Sequence, residues 1–150
     1  MVVTQGRAVT LDASVWIAAL RADEPSHVVS VRVMERLLED RIPLIEPTLF
    51  PVEVAAAIRR RTGDMARAER AVRQVITLET LSLVDITDAV AADAARLAVH
   101  VGLRGADACY VAVARREQSI LVTLDEELVR RVGTLADVVT PSAWLSRVQR

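Results

Sequence analysis

The protein is 150 residues long, carries a formal net charge of −1 and is 52% apolar, which fits a single domain, residues 1–150, with a substantial core. Its apolar runs fall short of the roughly 18 residues that a transmembrane helix needs, and its first residues lack a signal-peptide pattern. The single cysteine, Cys109, excludes an intramolecular disulfide, and the absence of lysine excludes Schiff-base and P-loop lysine chemistry. We therefore expect a soluble, cytoplasmic protein.

Strand-like and helical segments alternate along the chain. This alternation predicts an α/β protein in which a central, mostly parallel sheet of about five strands lies between two layers of helices. Two consecutive helices, 49–61 and 64–77, interrupt it at Thr62-Gly63, and a short helix that starts near Thr140 and contains Trp144 is expected to dock on the core. The predicted strands span residues 8–11, 43–45, 81–84, 120–123 and 138–139.

Two acidic residues follow predicted strands. Asp12 ends the apolar segment AVTL, and Asp125 follows ILVTL. In open parallel sheets, ligands bind outside the carboxyl ends of the strands, at the point where the strand order reverses. Both acids are therefore candidates for one site, although each also suits a helix N-cap.

Two further acids lie on apolar faces of predicted helices. Glu53 has Leu49, Phe50, Ala56 and Ala57 three and four positions away, and Asp107 has Tyr110, Val111 and Ala114 on its own face. A surface acid usually has charged neighbours on its helical face. Glu53 is also placed to reach solvent or to pair with Arg59 or Arg60, and Asp107 to interact with the positive end of its helix dipole.

Four carboxylates in one cleft would favour a divalent cation. Like charges resist ionisation together, and burial raises carboxyl pKa values, so the cluster costs stability unless a cation neutralises it. An all-oxygen site selects Mg²⁺ or Mn²⁺ over zinc. Such an ion suits phosphodiester hydrolysis, because it lowers the pKa of water and stabilises the leaving oxygen.

Phosphate binding would depend on a local basic patch, because the net charge is close to zero. Arg104, three residues before Asp107, is the best-placed candidate, followed by Arg59 and Arg60 beyond Glu53. Arginine binds phosphate bidentately. For Arg59 and Arg60, a solvated helix end that complements the dipole is an equal alternative.

The order and surroundings of these acids resemble the PIN-domain ribonucleases, a family that includes the toxins of VapBC toxin–antitoxin pairs. The resemblance spans nearly the whole chain and rests on LDASVWIAAL, the segment from Pro47 to Arg60, LRGADACYVAVA and LVTLDEEL. It implies a PIN-like fold, with Ser14 and Thr123 at hydroxyl positions that help organise the metal site. It also implies the catalytic and metal-binding quartet Asp12, Glu53, Asp107 and Asp125.

The resemblance further implies a Mg²⁺- or Mn²⁺-dependent endoribonuclease that forms a homodimer and binds a VapB-like antitoxin. Two alternatives stay open: a structure-specific DNA nuclease of the wider superfamily, and a non-catalytic RNA-binding or scaffold module. A haloacid-dehalogenase-like phosphatase is disfavoured, because Ser14 stands where its DxD motif requires a second acid. Neither histidine supplies a well-supported base for a Ser-His-Asp hydrolase.

Overall fold

A five-stranded parallel sheet organises the chain. A computed structural model describes residues 6–149, so residues 1–5 and 150 of the predicted domain lie outside the described residues. The strand order is β3-β2-β1-β4-β5, and all four strand pairs are parallel, as predicted. The strands are β1 (Val9–Leu11), β2 (Leu44–Pro47), β3 (Leu81–Val84), β4 (Ile120–Val122) and β5 (Val138–Val139).

Eight helices among the described residues cover this sheet. Every residue of the central strands β1 and β4 is buried. Because successive side chains of a strand point to opposite faces, both faces must be covered, which confirms the predicted arrangement of layers. The helices are α1 (Ala13–Leu20), α2 (His27–Glu39), α3 (Leu49–Thr62), α4 (Met65–Ile76), α5 (Asp88–Val101), α6 (Gly105–Arg116), α7 (Glu126–Val132) and α8 (Pro141–Val148).

The strand order reverses between β1 and β4. The chain moves from β1 to β2 and β3 in one direction, and then crosses back to place β4 and β5 on the other side of β1. The carboxyl ends of β1 and β4 lie side by side, with Leu11 opposite Val122. This is the topological switch point at which ligand sites of open α/β sheets form.

The predicted boundaries hold to within two residues. The two consecutive helices separate at Gly63, whose φ of 68° is a left-handed conformation that glycine adopts without strain. The prediction for β2 was wrong at its end: the strand continues through Glu46 to Pro47, which pairs with Val84. Pro47 favoured an earlier end, because proline cannot donate to a strand ladder.

The last helix docks on the core. Trp144 in α8 is 1% exposed and belongs to the main apolar cluster, and α8 packs against α2. Arg36 of α2 also donates a hydrogen bond to the carbonyl of Val148 at 3.3 Å. The predicted docking of this segment is confirmed.

Within residues 6–149, none of the helices is both long and apolar enough to cross a membrane by itself. The pair α5–α6 is bent by 116° at its break. It has the length and composition of a membrane span only when the two helices are taken together.

Replacement of Trp144 by alanine should lower the free energy of unfolding by about 3–5 kcal/mol, because it removes a fully buried aromatic side chain and leaves a cavity beneath α8. Urea denaturation of the variant and of wild type measures this loss. The exposed Leu135→Ala is the control and should cost far less. A loss for Trp144→Ala no larger than the control would contradict the docking of α8.

Candidate functional site

One open cleft at the carboxyl edge of the sheet contains all four predicted acids. Its volume is about 640 Å³. Asp12 reaches it from the end of β1, Glu53 from α3, Asp107 from the first turn of α6, and Asp125 from the connection between β4 and α7. Residues far apart in sequence are therefore brought to a single surface.

Asp12 is held in place by three hydrogen bonds. Its Oδ2 accepts from the hydroxyls of Thr123 at 2.7 Å and Ser14 at 3.0 Å, and its Oδ1 accepts from the backbone N–H of Ser14 at 3.5 Å. The last of these bonds caps α1. The cap and the cleft position are thus compatible, because the same carboxylate caps the helix and lines the cleft.

Thr123 connects two of the acids. Its side chain is completely buried just beyond β4. The hydroxyl donates to Asp12 and accepts from the backbone N–H of Asp125 at 3.1 Å. Asp125 in turn caps α7, accepting at Oδ1 from the N–H of Leu128 at 3.0 Å. Ser14 and Thr123 therefore both donate to Asp12, and their role in organising a metal site stays a prediction.

Burial and mutual repulsion act on the other two acids. Burial raises the pKa of Glu53, and the nearby charges of Asp12 and Asp107 raise it further, against the opposing influence of the Tyr110 hydroxyl. Burial likewise raises the pKa of Asp107, as do Asp12 and Asp125, while Arg104 lowers it. Both carboxyls thus lie where negative charge is unfavourable without a cation.

Arg104 forms ion pairs with two of the acids in the cleft. Its Nε donates to Asp107 at 3.2 Å and its Nη2 donates to Asp125 at 3.4 Å, while its side chain stays 82% exposed. Arg60 also lines the cleft. Arg59 instead lines the groove between α3 and α4, beside Met65, and its role in phosphate binding stays a prediction. Neighbouring residues of a helix point in directions about 100° apart, so Arg59 and Arg60 diverge.

The donor set of the cleft fits a hard divalent ion in its chemistry. It consists of carboxylates and hydroxyls, the ligands that Mg²⁺ and Mn²⁺ prefer. The acids line the cleft without converging on one point: among residues 6–149, no three acidic, histidine or cysteine side chains are grouped closely enough to hold a metal. Two of them instead contact Arg104. Metal binding would therefore require side-chain rotation, and a metal role for the quartet stays a prediction.

A fifth acid, Glu46, was missed by the sequence prediction. Its side chain is 0% exposed, and its Oε1 accepts from the backbone N–H of Leu11 at 2.6 Å. Burial raises its pKa well above the ordinary value of 4.5; the Leu11 N–H opposes this, and the charges of Asp12 and Glu53 add to it. The available signal was an acid beside the apolar strand residues Leu44 and Ile45, but the strand was predicted to end before it.

Tyr110 faces the same buried region from α6. Burial raises the pKa of its phenol, and the charges of Glu46, Glu53 and Asp12 raise it further. Its hydroxyl and Oε2 of Glu46 have no hydrogen-bond partner among the described residues. The phenol of Tyr110 and the carboxyl of Glu46 therefore lie behind the cleft.

Comparison with solved structures finds the same fold. VapC20 from Mycobacterium tuberculosis, described as a sarcin-ricin loop cleaving toxin, is 20% identical with a TM-score of 0.68; the match covers 82% of this chain and 94% of that one. PAE2754 from Pyrobaculum aerophilum is 21% identical, with a TM-score of 0.68 and coverage of 95% and 96%. VapBC2 from Rickettsia felis, bound to a promoter DNA fragment, is 13% identical, with a TM-score of 0.66 and coverage of 89% and 98%.

Sequence comparison identifies the family. No curated protein matches the chain significantly. The family model for the PIN domain matches residues 9–134. This stretch runs from the first residue of β1 to the turn after α7 and includes all four acids of the cleft. The chain therefore belongs to the PIN domain family.

Proposed function

We propose that the protein is a Mg²⁺- or Mn²⁺-dependent endoribonuclease and the toxin of a type II toxin–antitoxin pair. The observation that carries the proposal is the cleft at the sheet's switch point, lined by Asp12, Glu53, Asp107 and Asp125 in a chain of the PIN domain family. These four acids would hold the ion. A divalent ion bound there lowers the pKa of the attacking water and neutralises charge that develops on the phosphodiester.

The protein's own groups orient the reaction. Thr123 and Ser14 donate to the same oxygen of Asp12, which fixes the carboxylate and leaves its other oxygen directed by the helix cap. Outer hydrogen bonds of this kind hold metal-binding carboxylates in position. Arg104 and Arg60 line the cleft and would bind the phosphates on either side of the scissile bond.

RNA is the proposed substrate because of the protein's relatives. VapC20, which shares the fold, is described as a sarcin-ricin loop cleaving toxin. The chain has only four aromatic residues, and all four are buried: Trp144, Tyr110 and Phe50 are at most 1% exposed, and Trp16 is 6% exposed. Binding would therefore depend mainly on arginine contacts to phosphate, with little readout of base identity by stacking.

The proposed partner is a VapB-like antitoxin, and the proposed assembly is a homodimer. Several structures with this fold are toxin–antitoxin complexes, including one from Klebsiella pneumoniae and VapBC-1 from nontypeable Haemophilus influenzae. Co-expression with the product of an adjacent gene, followed by sedimentation, tests both points. A protein that stays monomeric and binds no such product would count against them.

Purified protein should cleave RNA with Mg²⁺ or Mn²⁺ and lose this activity with EDTA. Asp12→Asn and Asp107→Asn should each lose at least the roughly 10–100-fold typical of weakened metal sites. A gel assay of total RNA and single-stranded DNA measures both. Asp64→Asn is the matched control, because it removes the same charge from an exposed helix N-cap that asparagine also fills.

Cleavage that survives EDTA, or equal activity in all three variants, would contradict the proposed mechanism. Cleavage of DNA alone would favour a DNA nuclease, and metal binding without cleavage would favour a binding or scaffold module.

Arg104→Ala should tighten Mn²⁺ binding and weaken RNA binding. The substitution removes a cation that competes for Asp107 and Asp125. Because solvent screens the ion pairs of an exposed arginine, the gain in metal affinity should be small. Titration calorimetry measures the affinity, and steady-state kinetics should give a higher KM for RNA. Arg59→Ala, which removes the same charge outside the cleft, should change neither; equal effects of the two variants would rule out a local role for Arg104.

As the pH is lowered, Mn²⁺ affinity should begin to fall at a higher pH than it would if the carboxyl groups of the cleft had ordinary pKa values. The pKa of Glu53 and of Asp107 is raised from 4.5 and 3.8 respectively, first by burial. In the window above these ordinary values, the metal-free protein still binds protons that the metal must displace. Affinity therefore rises with pH through this window, with proton release. Calorimetry in buffers of different ionisation enthalpy measures it, and an affinity independent of pH down to 4.5 would contradict it.

A further inference from the structure

The backbone ladder between β1 and β2 stops before the strands reach the cleft. The N–H of Val9 donates to the carbonyl of Pro43 at 2.9 Å, and Val9 lies opposite Leu44. In a regular parallel ladder, the next bond from β1 would join the N–H of Leu11 to the carbonyl of Ile45, two residues further along each strand. The described residues form no such bond, and β1–β2 pairing ends at this point.

Side chains take over both of these backbone groups. The N–H of Leu11 donates to Oε1 of Glu46 at 2.6 Å. The carbonyl of Ile45 accepts from the hydroxyl of Thr10 at 2.7 Å. Buried backbone groups need hydrogen-bond partners, and these two side chains supply the partners that the Leu11 N–H and the Ile45 carbonyl do not find in the neighbouring strand.

The other side of β1 is regular. Three consecutive residues of β1 pair with β4, ending with Leu11 opposite Val122. The N–H of Asp12 then donates to the carbonyl of Val122 at 3.0 Å. The residue before Asp12 is therefore held by backbone pairing on one side and by the side chain of Glu46 on the other.

The buried carboxyl group of Glu46 lowers the stability of the fold. Burying it away from water costs several kcal/mol unless hydrogen bonds compensate. Glu46 is fully buried, and only one of its two oxygens has a partner among the described residues. The charges of Asp12 and Glu53 oppose the ionisation of Glu46, and a charged Glu46 would oppose the ionisation of Tyr110. Stability alone does not explain an acid here.

We infer that Glu46 is a positioning residue for the acidic cleft, whose side chain replaces the missing strand partner of Leu11 and thereby sets where Asp12 is presented. The inference rests on the proposed function in one respect, that the cleft holds a divalent ion. Glu46 acts through Leu11 and does not contact the cleft, since it is absent from the residues that line it.

Direct metal binding by Glu46 is the rival explanation, and the geometry disfavours it. Oε1 is committed to the Leu11 N–H at 2.6 Å, and the side chain has no exposed surface. Burial raises its pKa, the Leu11 N–H opposes this, and the charges of Asp12 and Glu53 raise it further. A neutral acid can still accept the Leu11 bond, because its carbonyl oxygen keeps that capacity.

The test compares Glu46→Gln with Glu46→Leu. Glutamine retains an oxygen acceptor of the same reach without a charge, whereas leucine fills a similar volume and leaves the Leu11 N–H without a partner. Thr10→Val is the control, because it breaks the other side-chain bond across the same gap, one residue further from Asp12, together with the bond between the hydroxyls of Thr10 and Ser119. Each full-length variant is measured in two ways.

The first measurement is hydrogen exchange of the Leu11 amide in metal-free protein by NMR. Wild type and Glu46→Gln should protect this amide, and Glu46→Leu should expose it to faster exchange than its neighbours in β1 show. The second is Mn²⁺ affinity by titration calorimetry. Glu46→Leu should bind about 10–100-fold more weakly, as changes behind metal ligands do, while Glu46→Gln and Thr10→Val should keep the wild-type affinity.

The contrary outcomes are distinct. If Glu46→Gln loses Mn²⁺ affinity as Glu46→Leu does, the charge of Glu46 acts directly and the proposed positioning role is wrong. If Thr10→Val weakens binding as much as Glu46→Leu does, the role is only structural. If wild type binds no Mn²⁺, the proposed function fails, and exchange of the Leu11 amide alone tests whether Glu46 holds Leu11. Unchanged exchange in Glu46→Leu would then overturn the positioning role. Should Glu46→Leu not fold, Glu46→Asp, whose carboxyl is too short to reach Leu11, takes its place.

Discussion

Repulsion among carboxylates at one edge of the sheet is the constraint on which the rest of the site depends. The parallel strands end together, so Asp12 and Asp125 are brought to the same edge by the fold itself. Glu53 and Asp107 join them from helices, and their pKa values rise because burial and like charges disfavour ionisation. Each remaining feature of the site offsets part of this cost.

Three kinds of compensation are present. Hydroxyl groups donate to Asp12, so its charge is spread over hydrogen bonds. Helix N-termini receive Asp12 and Asp125 as caps, where the dipole favours an anion. Arg104 supplies an exposed positive charge that lines the cleft. None of these compensations brings the carboxylates together at one point. This arrangement is consistent with a site where an external cation competes with Arg104 for Asp107 and Asp125.

The stability lost at the cleft is recovered elsewhere. Nearly all of α6 behind Asp107 is buried, with small alanine and valine side chains that allow the helix to lie close to the sheet. Trp144 of α8 is also buried in the core. A rigid core of this kind lets a few destabilising groups persist where chemistry needs them.

The sequence was sufficient for the features that follow a repeating pattern. Strand ends placed Asp12 and Asp125, and apolar helical faces placed Glu53 and Asp107, because both periodicities are written in the chain. Glu46 and Arg59 were beyond such reasoning. A side chain that replaces a backbone partner leaves no periodic signal, and β2 therefore seemed to end early. The direction of Arg59 depends on the helix rotation, which changes by about 100° with each residue.

The most direct test of the central claim is anomalous diffraction from crystals soaked in Mn²⁺. We expect one or two peaks in the cleft, at about 2.0–2.3 Å from carboxylate oxygens that include Asp12 and Asp107, with Arg104 displaced from both of its acidic partners. Crystals that show no peak in the cleft at millimolar Mn²⁺, with Arg104 still bound to Asp107 and Asp125, would contradict it.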